Sequence, residues 1–324
     1  MFNMKKARVF ATGSLWSLLV YMLYSTEEEI KRTHYFFVDT GIYESVRKNF
    51  NCHVFPTIEW EKKPWPLRRL LQPLVRFYYQ LRYPYLFNAD IYGIDQGLFC
   101  QSIIAWHNYT LIEDGIGDYF VSREPNIRKY EKIKRILFGN IEGHNFGNNS
   151  QCKKIILTQE PTNDFLKSKG EQIDIKELWN SSSVSKQKLI LDKLNVTESD
   201  MVELRSRDTI LLTQPIAEDK FVSEEEKIAI YRKLIDGIDE NSLIIKIHPR
   251  ERTDYKKYFP NTLVFNKRVP MQLFVILGLK YKKAITISST SVTSFGDDIE
   301  IVFAGNEIHP GILKGLGHVE LKNR

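Results

Sequence analysis

Residues 8–24, RVFATGSLWSLLVYMLY, decide how the chain is read. Arg8 to Ala11 is a short, mostly apolar run, Thr12-Gly13-Ser14 carries turn chemistry, and Leu15 to about Tyr24 is apolar over helical length. A strand pattern follows at His34 to Val38. Together they predict the opening β-turn-α-β of a Rossmann-like domain. With Lys5, Lys6 and Arg8 as a basic flank, the same stretch imitates a signal peptide or membrane anchor. Thr12, Gly13, Ser14 and Ser17 interrupt it, however, leaving an apolar run short of the ~20 residues a span needs. No small-residue cleavage site follows, so the domain reading is preferred.

Working outward, further strands are expected at Cys52 to Phe55, Ile91 to Ile94, Leu111 to Ile112 and Lys154 to Thr158, with helical patterns between several of them. Such alternation predicts a mostly parallel sheet covered by helices on both faces. A second alternation starts at Asp208. Its strands are Thr209 to Thr213, Leu243 to Ile247, Leu263 to Phe265, Ala284 to Ile287 and Glu300 to Phe303, with helices at Ser223 to Ile238 and Met271 to Leu279. Ser223 followed by Glu226 is a capping box. The polar stretch between the two alternations, with short helices at Ser183 to Leu194 and Glu198 to Arg205, is read as linker and hinge. The expected domains are 1–170 and 208–324, joined by 171–207. Leu157-Thr158-Gln159-Glu160-Pro161 and Leu212-Thr213-Gln214-Pro215 look alike, which suggests two similar domains facing a central cleft.

The 324 residues are 43% hydrophobic and 27% charged, which fits a folded globular chain and excludes a disordered one. Cys52, Cys100 and Cys152 are too few and too scattered for a disulfide framework or a metal cluster, so a reducing cytosol is expected. The net charge is +6, and Lys62, Lys63, Arg68, Arg69, Arg76 and Arg82 lie in one segment without an acid between them. From Leu67 onward that segment also repeats apolar residues at helical spacing. Two readings stay open: a basic amphipathic helix lying on an anionic membrane at 62–83, or a domain helix with a core face and a solvated basic face. No recognisable nucleic-acid module accompanies the patch, so nucleic acid is not expected as a partner.

Three segments carry chemistry, each where a strand should end. His248-Pro249-Arg250 follows Leu243 to Ile247; the proline ends the strand and holds His248 extended, so its imidazole projects into the crevice. That ring can donate to a phosphate leaving group, although a structural histidine is the plainer reading of the dipeptide. Ser288-Ser289-Thr290-Ser291 follows Ala284 to Ile287 and is expected to start a helix, offering hydroxyls and amides to an anion or simply capping. Glu113-Asp114-Gly115 follows Tyr109 to Ile112 and reads either as a turn or as a carboxylate base beside a glycine that lets substrate approach.

In this order and at this length the three segments resemble the bacterial sialyltransferases, above all glycosyltransferase family 52, in which the His-Pro pair is commonly continued by arginine. The resemblance implies a GT-B fold, CMP-sialic acid as donor, a galactose-terminated glycan of capsule or lipooligosaccharide as acceptor, inversion, no metal and no cofactor. It also implies a homodimer, while the sparse cysteines give a cytoplasmic location and the membrane reading of 62–83 a peripheral one at the inner membrane face. His248 would assist departure of CMP. Ser288, Ser289 and Thr290, with Pro249, Arg250, Thr213 and Gln214, would form the donor side, and Glu113 and Gly115 the acceptor side. Asp114 is the first candidate base. Asp219 is the second, because close relatives place an aspartate in the corresponding 214–220 loop, although here the acids Glu218 and Asp219 come several residues late. A GT-B enzyme for another nucleotide sugar and a non-catalytic module for anionic glycans are the alternatives.

Overall fold

The computed structural model describes residues 6–115, 119, 130–139, 145–248, 250–296 and 299–320. The chain divides into two units, Met1–Asn195 and Val196–Arg324. In the first, strands β1 (Ala7–Thr12), β2 (His34–Val38), β3 (Cys52–Phe55), β4 (Ala89–Gly93), β5 (Tyr109–Ile112), β6 (Cys152–Leu157) and β7 (Gly170–Gln172) form one sheet in the order β3-β2-β1-β4-β5-β6-β7. In the second, β8 (Thr209–Leu212), β9 (Leu243–Lys246), β10 (Leu263–Phe265), β11 (Lys283–Thr286) and β12 (Glu300–Phe303) form another in the order β10-β9-β8-β11-β12. Neighbouring strands in both sheets pair in parallel. Numbered from its own first strand, each sheet runs 3-2-1-4-5, the doubly wound order, which the first sheet continues with 6-7. Its ligand crevice opens beyond the strand ends where the winding reverses, between β1 and β4 and between β8 and β11.

The opening stretch forms β1, a turn and the helix Leu15–Tyr24, capped by Ser14. Arg8, which imitated the basic flank of a targeting signal, is 6% exposed and donates to Tyr21 Oη at 2.8 Å, Glu29 Oε1 at 2.7 Å and Ser25 Oγ at 3.1 Å. The helix is apolar because Leu18 to Leu23 are all buried in the domain. The turn is kept tight by close backbone approach: a Cβ on Gly41 would stand 1.6 Å from the Gly13 carbonyl oxygen. Among the described residues no helix is long and apolar enough to cross a membrane. The first core gathers Val9, Phe36, Phe55, Phe99, Leu111 and Ile155; the second gathers Leu211, Ile228, Tyr231, Ile245, Tyr255 and Ile285.

The division at Asn195 falls inside the expected 171–207 linker. Helix Val184–Lys193 is bound to the first unit through Lys186 Nζ on the Leu23 carbonyl at 2.8 Å and Ser185 on Glu27. Helix Glu198–Arg205 belongs to the second, where Asp200 pairs with Lys267. The expected repeat needs correction in detail. Leu157-Thr158-Gln159 follows β6, the sixth strand of its sheet, whereas Leu212-Thr213-Gln214 follows β8, the first of the other. The repeat lies in strand order, not in those matching peptides.

The helix Trp65–Arg82 departs from the second of its two readings, a domain helix with its leucines in the core. Its buried residues are Arg76 and Gln80, while Leu70, Leu74, Tyr78 and Leu81 are 73%, 63%, 57% and 82% exposed. Arg76 donates to Gln101 Oε1 at 2.6 Å and to the Phe138 carbonyl. Gln80 donates to the Ser102 carbonyl at 2.6 Å, and its Oε1 lies 2.6 Å from His107 Nε2. Polar groups therefore staple the helix to its neighbour Leu98–Ile104, with Val75, Tyr79 and Tyr83 packing against the core.

Candidate functional site

In the second unit the winding reverses between β8 and β11, and the residues just beyond those strands meet there. The Gln214 side-chain oxygen accepts the Ser288 backbone N–H at 2.8 Å and its hydroxyl at 3.2 Å, while Gln214 Nε2 lies 3.1 Å from the same hydroxyl. The preceding residue serves the other neighbour. Thr213 Oγ1 accepts the His248 backbone N–H at 3.2 Å. Two consecutive side chains at the end of β8 thus hold the His248 loop on one side and the Ser288 loop on the other.

His248 is half-buried, and its Nδ1 accepts the Arg250 backbone N–H at 3.2 Å. With that nitrogen occupied as an acceptor, the neutral ring carries its proton on Nε2. Burial, then the charges of Arg250 and Lys246, push the His248 pKa down. The ring is therefore a neutral donor at physiological pH. Ser289 donates its N–H to Thr286 Oγ1 at 3.1 Å, and Thr290 opens a short 3-10 helix, Thr290–Phe295. The expectation of a serine-capped helix is corrected here: Ser289 stands at the N-cap position without a side-chain capping bond.

Arg250 is engaged with Asp219 in a two-pronged pair at 2.6 and 2.9 Å. The second candidate base is thus held by the arginine that was assigned to the donor. Pro249 lies outside the described residues. Beneath these loops sits a polar cluster that the charged run after Pro249 did not announce. Glu251 is 8% exposed, accepts from Tyr255, and its pKa is raised to about 7 by burial. Lys227 is fully buried 3.1 Å from Glu218, and Tyr231 Oη accepts the Gln214 N–H at 2.7 Å. Lys246 on β9 is 8% exposed, with its pKa lowered to about 8 by burial. A lysine ending an otherwise apolar strand two residues before His248 was the available signal.

In the first unit Glu113 and Asp114 leave β5 and divide their work. Glu113 is 2% exposed and saturated: it accepts from Trp16 Nε1 at 2.9 Å, from Thr158 Oγ1 at 2.6 Å and N–H at 2.7 Å, and from the Tyr119 hydroxyl. It ties the helix Leu15–Tyr24 to the ends of β5 and β6. Asp114 is half-buried, its Oδ1 lies 3.4 Å from Ser17 Oγ, and burial pushes its pKa up against hydrogen bonds from Ser14 and Ser17. A carboxylate made more basic in this way suits proton acceptance. Gly115 has φ 149° with open space where a Cβ would stand. Trp16, Ser17 and Thr158 were not expected from sequence to support this motif, since they lie on other elements and meet it only through folding.

Residues 77–310 match glycosyltransferase family 52, and the chain belongs to that family. It is a glycosyltransferase. An uncharacterized protein of Haemophilus influenzae is 35% identical over 231 residues, 71% of this chain and 72% of the relative. Among solved structures, a Photobacterium 2,6-sialyltransferase in ternary complex with CMP and lactose is similar at TM-score 0.59 and 12% identity, over 92% of this chain and 71% of that one. The GT-B domain of a sialyltransferase from Photobacterium damselae is similar at TM-score 0.55 and 12% identity, over 97% and 98%. A Photobacterium phosphoreum α/β-galactoside α-2,3-sialyltransferase is similar at TM-score 0.54 and 13% identity, over 92% and 90%. The fold is GT-B, two Rossmann-like α/β units.

Proposed function

We propose that the chain is a sialyltransferase that moves sialic acid from CMP-sialic acid to a terminal galactose of a bacterial surface glycan, capsule or lipooligosaccharide, with inversion and without a divalent metal. The observation that carries this reading is the brace at the end of β8, where Thr213 holds the His248 backbone and Gln214 holds Ser288. Such a brace presents an imidazole N–H and hydroxyls at the reversal point of the second sheet, where a nucleotide phosphate is expected. Family membership and the CMP and lactose bound to a similar fold support the same donor and acceptor classes.

In the reaction the bond from the anomeric carbon to the phosphate oxygen of CMP breaks as positive charge develops on the sugar. His248 Nε2–H donates to the departing phosphate, joined by the Ser289 hydroxyl and by the Ser288 hydroxyl once it turns from Gln214 Oε1 and accepts from Gln214 Nε2 instead, so leaving-group charge is stabilised. The galactose hydroxyl oxygen forms the new bond to the anomeric carbon. Its proton passes to a carboxylate, Asp114 in preference to Asp219, because Asp219 already shares its oxygens with Arg250 while burial makes Asp114 the stronger base. The enzyme would work on the cytoplasmic side, peripheral to the membrane on which such acceptors are carried.

A panel of CMP-, UDP- and GDP-sugars incubated with lactose and chelator tests this. Sialyl-lactose from CMP-sialic acid alone is the expected result. Transfer from a UDP- or GDP-sugar instead would reassign the donor, and glycan binding without nucleotide affinity would make the chain a binding module.

A further inference from the structure

An apolar groove of about 340 Å³ runs between the helices Thr57–Glu61 and Trp65–Arg82. Trp60, Leu71, Leu74, Val75, Tyr79 and Phe99 line it, and the charged side chains on its wall are Glu59 and Lys63. Beside it lies the exposed stripe Leu67, Leu70, Leu74, Tyr78 and Leu81, spaced at three and four residues along one helix face. Trp65 is 62% exposed at the start of that helix and Ile58 50% exposed on the preceding one. A contiguous apolar surface of this kind is uncommon on a monomer and marks an interaction face.

The charges around it select the occupant. Lys62, Lys63, Arg69 and Arg82 are exposed and Arg68 is half-buried, while the acids on this face are Glu59, paired with Lys62 at 2.5 Å, and Glu61. The surplus is positive. A second copy docked about a two-fold axis would set these bases against themselves. An anionic lipid surface complements them and takes up the stripe as well.

We propose that the 57–82 helices lie on an anionic bilayer and that the groove between them takes one acyl chain of an anionic phospholipid, its phosphate at Lys63. The groove volume is within the ~300–1,000 Å³ range of ligand pockets. The inference rests on the membrane reading above and deepens it: the helix does not merely adsorb, it withdraws a lipid tail and so fixes the first unit on the surface.

The test uses the full chain with phosphatidylglycerol–phosphatidylcholine vesicles. The parent co-sediments with them and not with phosphatidylcholine alone, and Leu70→Glu/Leu74→Glu, two exposed positions, weakens partitioning at least tenfold while transfer to soluble lactose is unchanged. Charge reversal at Lys63 and Arg69 weakens it by about fivefold or more per site. Phosphatidylglycerol brominated on its acyl chains quenches tryptophan fluorescence, and Trp60→Phe removes most of that quenching while Trp65→Phe does not. Co-sedimentation with quenching indifferent to Trp60→Phe overturns the groove and leaves the surface contact. No co-sedimentation of the parent overturns both, whatever its transferase activity. Self-association lost in Leu70→Glu/Leu74→Glu, without vesicle binding, assigns the face to a second copy and also overturns the proposal.

Discussion

Gln214 spends its amide on Ser288, so its part in the proposed donor site is indirect. Gln214→Ala leaves the Ser288 N–H and hydroxyl to reorient, and CMP affinity should fall about tenfold, one net hydrogen bond of roughly 1–1.5 kcal/mol, with the thermal midpoint little changed; calorimetric titration with CMP measures it. Affinity unchanged in the variant would deny the brace any part in donor binding. The acidic pair separates along a different line. Glu113→Gln sets an amide N–H₂ against donors from Trp16, Tyr119 and Thr158 and should destabilise the first unit by about 2–3 kcal/mol. Asp114→Asn should leave the melting curve nearly intact and lower turnover on lactose by about 10²-fold or more, as loss of a general base does. Normal turnover in Asp114→Asn would pass the role to Asp219 or another carboxylate.

The Trp65–Arg82 helix shows at the element scale that apolar periodicity marks a face without saying what covers it. Its leucines follow the core spacing of an amphipathic helix, yet the face turned inward carries Arg76 and Gln80, because the neighbouring segments present carbonyls and side-chain oxygens that need donors. Arg76→Met, which keeps much of the volume, should therefore cost about 2–4 kcal/mol by stranding the Gln101 and Phe138 oxygens. Leu74→Ala should cost no more than about 0.5 kcal/mol, since the side chain is largely in solvent. Urea denaturation of the two variants makes the comparison. Equal losses would mean that Leu74 is buried in solution. By contrast, the start of helix Glu224–Leu234 was legible, because the Ser223–Glu226 capping box is a local device and is present in the structure, although the helix ends at Leu234 and not at the expected Ile238.

At the scale of the molecule, two groups of the second unit meet pH in opposite senses. Glu251 is held protonated by burial up to about 7, against an ordinary 4.5. Its contribution is full below pH 4.5, is lost as pH rises through that window, and levels off above 7, a fall of about 3 kcal/mol. His248, pushed below its ordinary 6.5, acts in the opposite sense, losing stability as pH falls. Stability of Glu251→Gln minus that of the parent should therefore rise between pH 4.5 and 8 in urea titrations, and a flat difference would show that Glu251 ionises normally. Much of the fold was readable: the strands His34–Val38, Cys52–Phe55, Leu263–Phe265 and Glu300–Phe303 lie where their short apolar runs predicted, since period and punctuation are local properties. β7 was not foreseen, because Gly170–Gln172 is three residues without an apolar run, recruited by pairing with β6. Of the candidate sites, the residues at strand ends could be read from the chain alone: Asp114, His248 and Ser288 follow from turn chemistry and strand length. What each does there emerged only from the folded arrangement. The saturation of Glu113, the pairing of Asp219 with Arg250, the brace of Thr213 and Gln214 and the outward leucines of the 65–82 helix all depend on partners far away in the chain, and burial and hydrogen-bond supply are fixed only when those partners meet.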